Sequence, residues 1–127
     1  MTADSTATAA DLKTINTATS GIITATGVTA ISGSLSDVGD VVDGDPDTSS
    51  AGQQIDLDTN FTVTITDTGS VAATTLTTLD YGVPGTVTAT TVDTVTGTAA
   101  EIAAAATADA NGTLVLKADF AATVSEG

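Results

Sequence analysis

The amino-acid sequence predicts an α/β fold, a solenoid-like stack of short strands and short helices. Three observations lead to this prediction. Two parts of the chain align without a gap at an offset of 64 residues. Helix-type and strand-type segments alternate within each part. The hydrophobic residues, 41% of the chain, are almost all small or aliphatic, and only 2% of the chain is aromatic; such side chains suit thin, closely stacked layers. The alternative is a single α+β domain with an internal duplication.

The internal repeat joins apolar, glycine and acidic positions in one register. Leu12 aligns with Leu76, and Gly21 aligns with Gly85. The other aligned pairs are Ile15 with Leu79, Ile23 with Val87, Ala25 with Ala89, Val28 with Val92, Ile31 with Val95, Gly33 with Gly97, Asp37 with Glu101 and Val38 with Ile102. Because three chemical types of residue coincide at a single offset, we expect two copies of one structural unit.

In the first copy, the sequence predicts three elements in order. These are a helix near residues 8–17, a strand near residues 22–26 and a helix near residues 35–42. The Thr content of residues 70–79, the corresponding helix of the second copy, makes that helix weak in isolation.

In the second copy, the sequence predicts the same order of elements. A helix near residues 70–79 precedes a strand near residues 86–90, where Thr alternates with Val and Ala. After a bend, residues 98–106 form the most helical segment, in which Thr98 stands as N-cap and Glu101 occupies the capping-box position.

Two further segments have strand character and divide the chain. Residues 61–66 and 113–117 alternate or concentrate β-branched and aliphatic residues. The resulting organisation has four parts: residues 1–42 are the first copy without its leading strand, 43–60 an acidic insertion loop, 61–110 the second copy, and 111–127 a strand followed by the start of a third copy.

The charge balance excludes several classes of function. Sixteen acidic residues stand against two lysines, and the formal net charge is −14. Binding to nucleic acid or to an anionic membrane surface requires basic residues that this chain lacks. No apolar run is long enough to cross a bilayer. The expected partners are like repeat modules or a second copy of the chain itself.

Catalysis is not expected, and no catalytic residue is predicted. The chain has no Cys and no His, so Ser-His and Cys-His nucleophile systems and His-ligated zinc cannot form. A glycosidase can use two carboxylates, but the aromatic platforms that usually hold sugars are almost absent.

An acidic segment predicts the one candidate metal site. Asp43, Asp45 and Asp47 alternate, so a tight loop can direct three carboxylates at one calcium ion. The spacing is like the first half of an EF-hand loop, but Thr48 stands where that loop requires glycine and Gln54 where it requires glutamate. The alternative is a solvated acidic loop.

Several phrases of the chain resemble a known group of repeats. They are residues 63–68, 76–80, 85–89 and 92–102. They are similar to the tandem Thr/Ala-rich repeats of giant bacterial cell-surface and secreted proteins, common in cyanobacteria and often found with hemolysin-type calcium-binding repeats. The resemblance implies an adhesive, motility-related or surface-layer role. The glycine-rich nonapeptide of the hemolysin-type repeats is absent, so their calcium site is not carried over.

The sequence therefore predicts a non-catalytic structural repeat module of an extracellular or cell-surface protein. The alternatives are a calcium-dependent binding module, in which residues 43–60 recognise the ligand, and a self-assembling filament or surface-layer subunit. In the last case unpaired strand edges at the ends of the stack would join neighbouring chains. The first residues show no basic or apolar region typical of a signal peptide.

Overall fold

The computed structural model describes residues 6–43 and 55–126, and it is an α/β structure with parallel sheets. This confirms the predicted α/β class. The helices are α1 (Ala9–Ala18), α2 (Leu35–Asp43), α3 (Ala73–Gly82) and α4 (Ala99–Asn111). The strands are β1 (Thr6–Thr8), β2 (Ile23–Ala25), β3 (Ala30–Gly33), β4 (Ile55–Leu57), β5 (Thr62–Ile65), β6 (Ser70–Ala72), β7 (Val87–Ala89), β8 (Thr94–Gly97), β9 (Leu114–Leu116) and β10 (Ala121–Val124).

The strands of the described residues form three sheets with parallel pairings throughout. One sheet has five strands in the order β1-β3-β5-β7-β9, a second has the order β10-β8-β6, and the third pairs β2 with β4. Parallel neighbours need a long crossover connection, and the helices and loops between paired strands supply it. In the helical layer α1 contacts α2, α2 contacts α3, and α3 contacts α4.

The elements recur in the same order at fixed offsets. The set β1, α1, β2, β3 and α2 begins 64 residues before β6, α3, β7, β8 and α4, element by element. Strands β4 and β5 begin 59 residues before β9 and β10, respectively. We call β1 to β5 the first unit and β6 to β10 the second unit. Two residues at these offsets are called counterparts.

Strand β5 connects the two units. It pairs with β3 on one side, where Ile31 lies opposite Val63, and with β7 on the other, where Val63 lies opposite Val87. Its counterpart β10 pairs with β8, where Val95 lies opposite Ala122. No second neighbour of β10 exists among the described strands. We call the contact between β5 and β7, with the adjoining α2 and α3, the inter-unit junction.

The core runs through both units as one cluster of buried residues. Its largest fully buried side chain is Phe61, which directly precedes β5 and has 0% exposure. Leu76 on α3 and Leu114 on β9 are also 0% exposed. Burying one such side chain contributes about 1.5–3 kcal/mol. Because residues on both sides of the junction belong to the same buried cluster, the junction is part of one core and not a hinge between separate cores.

Several short strands differ from the sequence-based prediction. Residues 70–72, predicted as helix, form β6 because they pair with β8, and α3 begins at Ala73. Strand β8 lies where a bend was expected. Within the predicted acidic loop, Ile55 and Leu57 of β4 are 1% and 0% exposed. Three- and four-residue strands hold too few residues for alternation to be visible, so their partners decide their conformation.

Candidate functional site

The predicted calcium ligands fall at the border of the described structure. Asp43 is the last residue of α2 and is exposed, whereas Asp45 and Asp47 lie outside the described residues. Among residues 6–43 and 55–126, no group of three acidic side chains is placed to hold a metal ion. Calcium binding by this segment therefore stays a prediction.

The helical face carries two grooves on either side of Tyr81. The first, about 500 Å³, lies between α2 and α3 and has Asp43 on its border. The second, about 560 Å³, lies between α3 and α4 and has Asp80 on its border. Most other lining side chains are Thr, Ala, Gly, Leu or Val. Each groove thus brings one carboxylate beside a tyrosine that is itself 92% exposed, and neither places two carboxylates across a common space.

Both lysines form ion pairs with acidic residues that belong to other elements or loops of the fold. The Nζ of Lys13 on α1 lies 2.7 Å from Asp37 Oδ1 and 2.9 Å from Asp40 Oδ2 on α2. The Nζ of Lys117 lies 2.7 Å from Asp93 Oδ1. The Asp37 and Asp40 carboxylates raise the pKa of Lys13 from 10.5 to about 12, and Lys13 in turn lowers the pKa of Asp37. Two cations are thereby fixed at layer contacts in a chain with a net charge of −14.

Replacing Lys13 with methionine is expected to raise the pKa of Asp37 toward its ordinary value of 3.8, because the lysine hydrogen bond is the main cause of its lowering. The contribution of Asp37 to stability is present above pH 3.8 and is lost as pH falls through its lower folded pKa. That of Lys13 is present below pH 10.5 and is lost as pH rises through about 12. Carboxyl NMR titration of both proteins checks the first shift.

The matched control for this titration is Lys117→Met, since Lys117 pairs with Asp93 and not with Asp37. It should leave the Asp37 titration curve in place. An Asp37 pKa that is the same in the wild-type protein and in Lys13→Met would contradict the assigned ion pair.

Acidic residues that follow two counterpart strands hold two helix N-termini. Asp67 Oδ2, after β5, accepts a hydrogen bond from the Leu35 backbone N–H at 2.5 Å. Glu126 Oε1, after β10, accepts one from the Ala99 N–H at 2.8 Å. The N-terminus of a helix carries unpaired N–H groups and the positive end of its dipole, so carboxylates are stabilising there. These acids fasten α2 and α4 to the strand of the next layer.

The predicted capping box of α4 is confirmed. Thr98 Oγ1 accepts a hydrogen bond from the Glu101 N–H at 3.3 Å, and Glu101 Oε2 accepts one from the Thr98 N–H at 2.8 Å. Acidic residues thus have a local structural use at both kinds of cap. Within residues 6–43 and 55–126, these carboxylates serve helix ends and are not gathered into a group of three that could hold a metal ion.

The two ends of the stack expose apolar side chains. At the C-terminal end all four residues of β10 are exposed, and Val124 is 53% exposed. At the N-terminal end Ile15 on α1 is 49% exposed and Ile22, just before β2, is 73% exposed. We call these the C-terminal and N-terminal end surfaces. Single exposed apolar residues are normal on a protein surface, so their exposure alone does not mark a contact area.

No family model matches the chain, and neither curated proteins nor solved structures include one with significant similarity to it. In the described residues no helix combines the length and apolar character that a membrane span requires.

Proposed function

We propose that the chain is a non-catalytic structural repeat module of an extracellular or cell-surface protein, built as a duplicated α/β solenoid. The observation that carries this proposal is the identical strand register of the two units. Thr6 lies opposite Ala30, and their counterparts Ser70 and Thr94 lie opposite each other. The pair Ile23–Ile55 likewise corresponds to Val87–Leu114, and Ile31–Val63 to Val95–Ala122.

The successive ladders support a coil-by-coil organisation. Along the five-stranded sheet, Ala7 pairs with Ile31, Ile31 pairs with Val63, and Val63 pairs with Val87. Between one strand of this sheet and the next, the chain passes through one helix and one strand of another sheet. In a solenoid each turn contacts only its neighbours, and stacking produces one continuous core. The single cluster of buried residues that runs through both units supports this organisation.

The surface chemistry favours an exposed structural role. The net charge of −14 keeps like chains soluble and apart unless cations screen them. The Thr-rich composition and the resemblance to bacterial surface repeats point in the same direction, toward adhesion, a surface layer or motility. The partners are then like modules. Calcium-dependent binding by residues 43–60 is the alternative, and two of its three predicted ligands, Asp45 and Asp47, lie outside the described residues.

Labelling of intact cells tests the proposed location. Antibodies raised against the purified chain should label intact cells of the source organism, and protease added outside the cells should remove the signal. Antibodies against a cytoplasmic protein serve as the control for cell integrity. Labelling that appears only after permeabilisation would contradict a cell-surface role.

A further inference from the structure

We infer that the C-terminal end surface of one chain binds the N-terminal end surface of a second copy, with β10 of the first pairing in parallel with β2 of the second. This inference rests on the proposed repeat organisation and adds the partner and the register. The inter-unit junction supplies the template, because β5 and β7 are the counterparts of β10 and β2.

The register follows from the junction. There Val63 lies opposite Val87 and Thr64 opposite Thr88. The counterparts of these residues place Ala122 opposite Ile23 and Thr123 opposite Thr24. Each strand has an edge for this pairing among the described residues, since β2 pairs with β4 alone and β10 with β8 alone. In the junction, the corresponding edges of β7 and β5 are joined.

The burial of counterpart residues supports the same contact. Ile65 in the junction is 1% exposed, and its counterpart Val124 is 53% exposed. Leu79 is 5% exposed, and its counterpart Ile15 is 49% exposed. The side chains are similar in size and polarity, so the difference comes from the missing neighbour. A second copy placed as in the junction covers both residues and removes their apolar surface from water.

A glycine contact makes the fit more specific. The Gly85 N–H donates to the Phe61 carbonyl oxygen at 3.1 Å, and a Cβ at Gly85 would lie 2.6 Å from that oxygen. Its counterpart Gly21 meets nothing closer than Thr19 Oγ1, at 3.5 Å from a built Cβ. Gly21 therefore leaves room for a carbonyl that the single chain does not supply. In the proposed contact the Phe120 carbonyl of the first chain occupies that place, and the Gly21 N–H, which donates to Thr19 Oγ1 at 3.1 Å in the single chain, exchanges that acceptor for it.

The remaining free edges have no such template. The five-stranded sheet ends at β1 and β9, and pairing of β9 with β1 of another chain is the competing arrangement. Their counterparts β6 and β4 have no strand neighbour on the corresponding edge, because β6 pairs only with β8 and β4 only with β2 among the described strands. The junction therefore favours pairing of β10 with β2 over pairing of β9 with β1.

Cysteine cross-linking tests the register directly, because the chain has no native cysteine. A mixture of Thr123→Cys and Thr24→Cys proteins, oxidised at high salt to screen the repulsion between acidic chains, should give a covalent heterodimer. The comparison mixture is Val115→Cys with Thr8→Cys, which lie in one row of the five-stranded sheet; it reports pairing of β9 with β1 and should give none. Absence of the first product, or equal yield of the second, overturns the inference.

A pair of glycine variants provides the second measurement. In the Thr24→Cys background, Gly21→Ala should reduce the cross-linked yield about tenfold, because the new Cβ would overpack against the Phe120 carbonyl of the other chain. Gly27→Ala is the matched control: a Cβ there meets nothing within 4 Å, and its counterpart Thr91 already carries a side chain. Circular dichroism should show both variants folded. An unchanged yield with Gly21→Ala contradicts the proposed contact.

These outcomes are separate from the test of cell-surface location. Surface labelling without cross-linking rejects the end-to-end contact and leaves the proposed function standing. Cross-linking in the predicted register with labelling only of permeabilised cells supports the contact and rejects the location.

Discussion

Replacing Phe61 with alanine is expected to lower the free energy of unfolding by about 3–5 kcal/mol, the usual cost of truncating a buried phenylalanine. Phe61 is 0% exposed and is the largest fully buried side chain in the described residues. It lies directly before β5, the first-unit strand that pairs with β7 of the second unit, so its removal leaves a cavity at the inter-unit junction. Since small domains have total stabilities of about 5–15 kcal/mol, much of the stability is lost.

The matched control is Phe120→Ala. Phe120 is the counterpart of Phe61 and precedes β10, but it is only partly buried because no unit follows it in the described structure. Its truncation should cost about 1–2 kcal/mol, less than full burial of a phenylalanine contributes. Urea denaturation followed by far-UV circular dichroism measures both variants. Equal losses would contradict the central position of Phe61.

The sequence alone predicts the elements of this fold better than it predicts which of their residues are buried. The apolar periodicity and glycine alignment indicate the helices and the longer strands, because residues on one element carry that information locally. Whether a position is buried depends on its neighbour in the stack. Ile15 and Leu79 align and have similar side chains, yet one is about half exposed and the other is buried. Local sequence cannot distinguish them, since their difference comes from a partner strand and helix distant in the chain.

Alignment also does not predict the use of charged residues. Asp37 and Glu101 occupy counterpart positions, but Asp37 forms an ion pair with Lys13, whereas Glu101 closes the capping box of α4. The reason lies on the neighbouring helix, where the counterpart of Lys13 is Thr77. A carboxylate without a cation near it takes the local backbone N–H groups as partners. The acidic character of the position is thus conserved between units while its contact is not.

The candidate site divides in the same way between what the sequence predicts and what requires the fold. Alternating aspartates predict a calcium loop from adjacent residues, and two of those residues lie outside the described structure. The end surfaces bring together residues that are far apart in the chain, such as Ile15 and Ile22 with the free edge of β2. Free strand edges at the ends of a stack can be expected from repeat logic, but which edge is free depends on the sheet order.

Replacing Gly85 with alanine is expected to lower the free energy of unfolding by about 1–3 kcal/mol, the usual cost of overpacking. The new Cβ would lie 2.6 Å from the Phe61 carbonyl oxygen and 2.8 Å from Thr62 Cγ2. A backbone carbonyl cannot rotate away as the end of a flexible side chain can, so β5 and the loop before β7 must separate. The hydrogen bond from the Gly85 N–H to that carbonyl is then weakened as well.

The counterpart substitution Gly21→Ala is expected to have the opposite sign in the isolated chain. A Cβ at Gly21 meets Thr19 Oγ1 at 3.5 Å, an ordinary contact, and the backbone there does not have positive φ. Replacing glycine with alanine at such a position stabilises a protein by about 0.4–1 kcal/mol, since it restricts the unfolded chain. Thermal and urea unfolding of both variants compare the two signs. Equal destabilisation by the two substitutions would contradict an open space at Gly21. Opposite signs would show that the cost at Gly85 comes from the segment at Phe61, which covers Gly85 and has no equivalent over Gly21.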